Sequence, residues 1–296
     1  MILISRQLRS GRAGLLYLLI ASVGWGLNWP AMKVILAEWP PLFARGAAGV
    51  VAALGLALLA AARGERLAIP RDAFGRLVLA AATNVLVWMG FTTVAVQWLT
   101  VGEAALLVYT MPIWVTLLAW PIRRERPTFR TVAALVLGIS GIAVLLGGEV
   151  TAFSAHKLFG VILTLSAAIL FALGTVTART ALPVPPLASV AWQVGMGCTP
   201  MVMAGLLFER PDFGALSAAG WTMMAYMTVV PMGLCYVCWF AALRKLPPST
   251  ASIGTLLVPI VGVIAAAYAL GEPLGVKEIA ALILTLSGVA LALRKG

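Results

Sequence analysis

Side chains able to do covalent chemistry are few in this sequence and poorly placed for it. Cys235-x-x-Cys238 has the spacing of a metal or redox pair. Such a site needs further ligands or a polar, accessible setting, and these thiols lie in an apolar stretch. With Cys198 they read as small packing residues. The one histidine, His156, falls in a polar connection. No Asp or Glu lies deep in an apolar run; Glu38 and Glu103 stand near run ends. A nucleophile with its base, a metal centre or a buried proton relay lacks donors here. Neither an enzyme nor a metal or cofactor is expected.

What remains is noncovalent recognition by aromatic and uncharged polar groups. Trp25 and Asn28 stand in Gly24-Trp25-Gly26-x-Asn28-Trp29-Pro30, a polar, helix-weakening stretch at mid-depth of the first apolar run. Thr83, Asn84 and Trp88 share a helical face of the third run. Tyr109 precedes Pro112 in the fourth, Phe171 lies in the sixth, and Tyr236 and Trp239 sit three apart in the eighth. An amide in hydrocarbon must find a partner, so Asn28 and Asn84 should face the protein interior. Trp39, Trp98, Trp120 and Trp221 lie near run ends and suit an interfacial belt; the deeper aromatics suit either a cavity wall or core packing. Pro112 and Pro259 each remove a backbone N–H, freeing the carbonyl at Val108 and Thr255 and bending the helix. A cavity of this composition fits a neutral or zwitterionic molecule with an apolar side chain. Phosphorylated cargo would need a cluster of deep cations, and only Lys33 and Arg45 lie inside runs, where both can snorkel to an interface.

These residues are held by elements built for lipid. Of 296 residues 62% are hydrophobic and 10% charged, against about 45–50% and 25% in soluble domains. Apolar runs fall at 13–37, 41–62, 74–97, 103–122, 129–147, 158–179, 187–208, 217–243, 249–270 and 276–293. Lipid cannot satisfy free backbone groups, so each run is expected to be a helix. The result is an all-α integral membrane protein of ten transmembrane helices. The first run follows Arg6, Arg9 and Arg12 without a cleavage pattern and reads as an uncleaved span, with 1–12 as a cytoplasmic segment.

Threading the loops from the N-terminus puts sixteen Lys and Arg on one side and three, Lys157, Arg210 and Lys277, on the other. Both termini are therefore expected in the cytoplasm. The net charge of +11 is explained by these loops, and no basic stripe suggests nucleic acid. Shifting the chain by 147 positions brings Pro112-Ile113 onto Pro259-Ile260, Glu125 onto Glu272 and Ser140-Gly141 onto Ser287-Gly288. Near the start of each half a shift of 146 brings Trp25 onto Phe171 and Lys33 onto Arg179. Two repeats, 13–148 and 157–294, follow. Five spans per half is odd, so the second must run upside down, the architecture of alternating access. Small residues at Gly138-x-x-Gly141 and Ser287-Gly288 allow close helix approach, either within the bundle or in a weak homodimer.

Trp25-Gly26-x-Asn28 followed by Lys33, Pro112 running into Arg124-Glu125, and Pro259 running into Gly271-Glu272-Pro273 resemble the drug/metabolite transporter superfamily, EamA type. Arg124 stands where the second half has Gly271. Within that group the chain looks most like the YddG-type exporters of aromatic amino acids in the bacterial inner membrane. The resemblance implies export of amino acids, with aromatic ones favoured; a hydrophobic drug or other neutral metabolite is the alternative cargo.

Overall fold

The structure, a computed structural model, describes residues 2–124, 128–146, 154–178, 182–247, 250–251 and 254–293. Glu125 and Arg179, members of the repeat matches, lie outside them. In chain order the helices are α1 (Ile2–Leu36), α2 (Pro41–Ala62), α3 (Arg71–Ala95), α4 (Val101–Arg123) and α5 (Phe129–Leu146). They continue as α6 (Ala155–Thr177), α7 (Pro186–Glu209), α8 (Ala218–Leu243), α9 (Leu257–Leu270) and α10 (Val276–Leu293). The described residues contain no strand. Among the described residues seven helices, α1 to α4 and α6 to α8, are long and apolar enough to cross a membrane, fewer than the ten expected. The shortfall falls on α5, α9 and α10. The apolar part of α5 starts only at Val132, and α9 is cut short by a turn at Thr255 and Leu256. Outward faces carry exposed Leu54, Leu58, Val136, Ile139, Leu207, Phe208 and Ile283. Water would not tolerate so continuous an apolar surface, whereas hydrocarbon suits it.

The packing has a repeating pattern. Helix α2 lies along α7, and α5 along α10. Helix α1 packs on α8 and α9, while α6 packs on α3 and α4, so each of these pairings has its image when the halves are exchanged. The self-paired helices run antiparallel: Gly205 abuts Phe43 while Gly49 abuts Cys198. Likewise Gly141 meets Thr285 and Gly288 meets Ala134. A Cβ at Gly205 would come within 2.6 Å of the Phe43 backbone N, so this approach requires the missing side chain. The small residues of α5 and α10 thus serve contacts inside the chain.

Helix α1 runs unbroken through Pro30, contrary to the weakening expected of Gly24 to Pro30. Its glycines are used for contact instead: Gly24 faces Cys235 and Gly26 faces Val261. Neighbours pressed this closely hold the helical path that the sequence locally disfavours.

Carboxylates tie one half to the other by occupying helix N-termini, where backbone N–H groups lack intrahelical partners. Glu209, at the end of α7, accepts from Leu42 N at 3.1 Å and Phe43 N at 2.9 Å, at the start of α2. Glu65, beyond the end of α2, accepts from Ala188 N at 3.0 Å, at the start of α7. Glu272 accepts from Val101 N at 2.9 and 2.8 Å and pairs with Lys33 Nζ at 3.2 Å. Glu103 pairs with Lys157 Nζ at 2.8 Å. Glu38 accepts from Ser217, whose hydroxyl and N–H hold its carboxyl below the usual range.

Arg124 and its counterpart Gly271 both end their helices with left-handed backbone, at φ 60° and 67°. Only glycine adopts this without a Cβ clash. Arg124→Gly is expected to stabilise the protein by about 1 kcal/mol, raising the melting temperature in detergent by roughly 2–4 °C. A fall in that temperature would contradict the strain.

Candidate functional site

Four helices are interrupted near mid-length, and the interruptions come in pairs. In α3 the residues Ala82–Val87 form a π-turn, and in α8 Val230–Leu234 form another. Helix α4 breaks at Tyr109 and Thr110 before Pro112, and the run into α9 breaks at Thr255 and Leu256 before Pro259. Each pair is separated by nearly the offset that relates the two prolines. Contrary to the expectation that Pro259 frees it, the Thr255 carbonyl is bonded: Val258 N donates to it at 3.0 Å. The turn tightens and so satisfies that oxygen.

Between these interruptions lies a cavity of about 460 Å³, within the size range of small-molecule sites. Trp25, Asn28, Asn84, Trp88, Tyr109, Pro112, Phe171, Tyr236 and Trp239 line it. Thr83 and Pro259 do not. The Thr83 hydroxyl donates to Leu79 O at 2.9 Å, and its side chain fills the space beside Gly174 on α6. In a regular helix of about 3.6 residues per turn Thr83 stands roughly 100° from Asn84 and roughly 140° from Trp88, so it belongs to the face turned to α6 and not to theirs. Pro259 is buried within α9, while its neighbours Val258 and Leu256 reach the wall.

The aromatic lining forms two groups related by the repeat. Trp25 meets Tyr236 edge-on at 5.6 Å and Trp239 at 5.9 Å. Its counterpart Phe171 meets Trp88 at 4.7 Å, and Trp88 meets Tyr109 at 6.2 Å. Trp25 Nε1 donates to Pro231 O at 2.9 Å, inside the α8 π-turn. The Tyr226 hydroxyl donates to Gly24 O at 2.8 Å. The unequal hydrogen bonding of the π-turn is thereby used to fix α1 and its ring.

Several lining residues were not anticipated as such. Trp29, Met32, Met89, Met111 and Met232 add apolar surface. Gln193 of α7 accepts from Asn84 Nδ2 at 3.0 Å and donates to Ser189 Oγ at 3.1 Å. An amide in the middle of an apolar run was its visible signal, the same one that marked Asn28 and Asn84. Arg45 also lines the cavity, turned inward and 7% exposed, so it does not snorkel. Its Nη1 donates to Asn28 Oδ1 at 3.4 Å. No carboxylate lines the cavity among the described residues.

Asn84 and Gln193 bridge α3 to α7. Removing either leaves one polar atom of its half-buried amide partner unmatched, at about 1 kcal/mol, whereas removing both together costs less than the sum. A thermal double-mutant cycle of Asn84→Leu and Gln193→Leu is expected to show coupling of about 1 kcal/mol or more. Additive losses would show that the two amides do not depend on each other.

Cys235 and Cys238 lie outside the cavity wall, packed with Ala21 and Trp25. Trp39 is not at a lipid interface: it is buried, donates from Nε1 to Asp212 O at 2.8 Å and packs on Phe43, Phe213 and Trp221. Trp120 and Trp221 are about half exposed.

The chain is similar over most of its length to proteins named as transporters. It is 27% identical to the uncharacterized transporter YvbV of Bacillus subtilis over 97% of this chain and 93% of the relative. It is 29% identical to a "Probable amino-acid metabolite efflux pump" of Salmonella typhimurium, over 95% and 94% of the two chains. A "Probable terminal-alkyne amino-acid exporter" of Streptantibioticus cattleyicolor is 26% identical, over 86% and 84%. A solved crystal structure superposes with a TM-score of 0.66 at 19% identity, covering 93% of this chain and 96% of the other, which speaks to fold alone. The EamA-like transporter family profile matches twice, over residues 12–147 and 158–294. With a cavity at the meeting of two similar helical halves and this match across both, the chain belongs to the EamA-like transporter family, and it is a membrane transporter.

Proposed function

We propose that this transporter moves amino acids, aromatic ones favoured, out of the cytoplasm through the central cavity. The observation that carries this reading is the pair of aromatic groups around Trp25 and Trp88, set beside amides and one cation. Flat side chains find edge and face partners there, while backbone carbonyls and amides hold polar ends. Thr83 is assigned to packing, and Pro112 and Pro259 to the helix breaks that give the cavity its walls. Two relatives bear names that refer to amino-acid export, which supports the same cargo.

The mechanism we propose is alternating access by ten spans in two inverted halves. Antiparallel packing of α2 on α7 and α5 on α10 supports the inversion, since equivalent helices of parallel repeats would run the same way. The charge split supports cytoplasmic termini; the proposed setting is a bacterial inner membrane, with the protein a monomer or weak homodimer. No carboxylate lines the cavity among the described residues, which favours facilitated or loosely coupled movement over tight proton coupling.

Purified protein in liposomes is expected to exchange radiolabelled Phe, Tyr or Trp in a saturable way. Failure to move any amino acid in either direction would remove this reading. The four cavity methionines favour one alternative, an adaptable site for a hydrophobic drug or neutral metabolite. Dye efflux that amino acids do not inhibit would select it.

A further inference from the structure

Arg45 is the unexplained group of this cavity. It is the fifth residue of α2, one turn inside the helix, and 7% exposed. Its only hydrogen bond among the described residues is the long one to Asn28, through Nη1 at 3.4 Å. Buried Nε has no partner. Four carboxylates at helix ends have other partners: Glu209 the first N–H groups of α2, Glu272 Lys33 and Val101, Glu103 Lys157, and Glu38 Ser217. A guanidinium does not shed its proton, and an unmatched buried charge is strongly unfavourable. The cavity therefore carries a fixed positive charge whose counter-ion is not supplied by the described residues.

The free edge has a definite shape. With Nη1 turned to Asn28, Nε and Nη2 remain side by side, the fork that meets both oxygens of a carboxylate in parallel. Asn28 lies one turn from Trp25 on α1, and residues three apart stand about 5–6 Å apart at Cβ. Tyr236, which packs on Trp25, lies near enough to Arg45 to interact with its charge. A carboxylate on Arg45 thus places a group a few ångströms further along the same molecule against the Trp25 rings.

Resting on the reading of the cavity as the cargo site, we propose that Arg45, oriented by Asn28, binds the cargo carboxylate and selects for molecules that carry one. The transporter discriminates by that group first and by the side chain second. Asn28 is a positioning residue: its oxygen holds Nη1 and so fixes the guanidinium at the cavity wall.

The test compares four ligands on the purified protein, by calorimetry and by ligand-induced thermal shift. Phenylalanine and 3-phenylpropionate carry the carboxylate; phenylalaninamide and phenethylamine do not. The wild-type protein is expected to bind the first two at least tenfold more tightly than the last two. Arg45→Gln is expected to lower carboxylate affinity at least tenfold and leave the other two ligands unchanged. Arg45→Lys keeps the charge without the fork and is expected to fall between. Ligand-free Arg45→Met should melt at or above the wild-type temperature, because it removes an unmatched charge, yet show no carboxylate-induced shift. Wild-type binding that ignores the carboxylate overturns the role of Arg45 and leaves the amino-acid reading standing. Loss of all four ligands equally in Arg45→Gln, or a lower melting point for ligand-free Arg45→Met, assigns Arg45 to structure and overturns it too. Failure of all four to bind the wild-type protein overturns the proposal together with the reading beneath it.

Discussion

Trp25→Ala is expected to weaken binding of an aromatic amino acid by roughly 10- to 100-fold. The ring contacts both Tyr236 and Trp239, and such pairs contribute about 0.5–1.5 kcal/mol each beyond their buried area. Truncation also removes the hydrogen bond from Nε1 to Pro231 O, at 2.9 Å. That carbonyl belongs to the α8 π-turn, so its loss loosens the wall as well as the contact. Trp25→Phe separates the two effects. It installs the residue type that the second half carries at Phe171, keeping a ring while deleting the donor. A loss of about fivefold is expected, from one hydrogen bond near 1 kcal/mol. Titration of purified protein with phenylalanine and tryptophan reads both variants. Unchanged affinity in Trp25→Ala would move the aromatic subsite away from α1.

Glu272→Ala is expected to lower stability by about 2–4 kcal/mol, since it strips a half-buried cation and a helix terminus of their partner at once. Glu272 receives both Val101 N, at 2.9 and 2.8 Å, and Lys33 Nζ, at 3.2 Å. Lys33→Ala should cost less, about 1 kcal/mol, because the carboxylate keeps its backbone donors. The double variant should be no worse than Glu272→Ala alone, as Lys33 has nothing left to pair with. Melting curves in detergent would place Glu272→Ala roughly 5–10 °C below wild type. Equal losses from the two single variants, with no further loss in the double variant, would show that Lys33 alone gives Glu272 its importance.

Much of this architecture could be read from residue order because lipid admits few solutions. Apolar length located the helices, and the Pro112–Pro259 match located the repeat before any contact was known. The aromatic lining was legible for a related reason: a Trp or amide at mid-depth has few places to go. Three features were not. The π-turns in α3 and α8 depend on one residue of extra winding, which no side-chain pattern announces. The inward direction of Arg45 depends on which face of α2 meets α1, and hydropathy near a helix end cannot distinguish inward from snorkelling. Trp39 looked interfacial by position, but the rings of Phe43, Phe213 and Trp221 enclose it. Contacts between distant segments decide such cases, and they are absent from local sequence.

The antiparallel pairing of α2 with α7 and of α5 with α10 bears on how such a chain could arise. A helix that packs on its own counterpart must present a self-complementary surface, a small residue meeting a larger one at both ends of the contact. Gly205 against Phe43 and Gly49 against Cys198 satisfy that demand within one interface. Such surfaces are what two separate copies of a five-helix protein would need to associate head to tail. Fusing their genes would add a linker and no new interface. Once joined, each copy was free to diverge, Trp in one and Phe in the other, Arg124 in one and Gly271 in the other. In this view the asymmetric Arg45 is a later specialisation on an older symmetric frame.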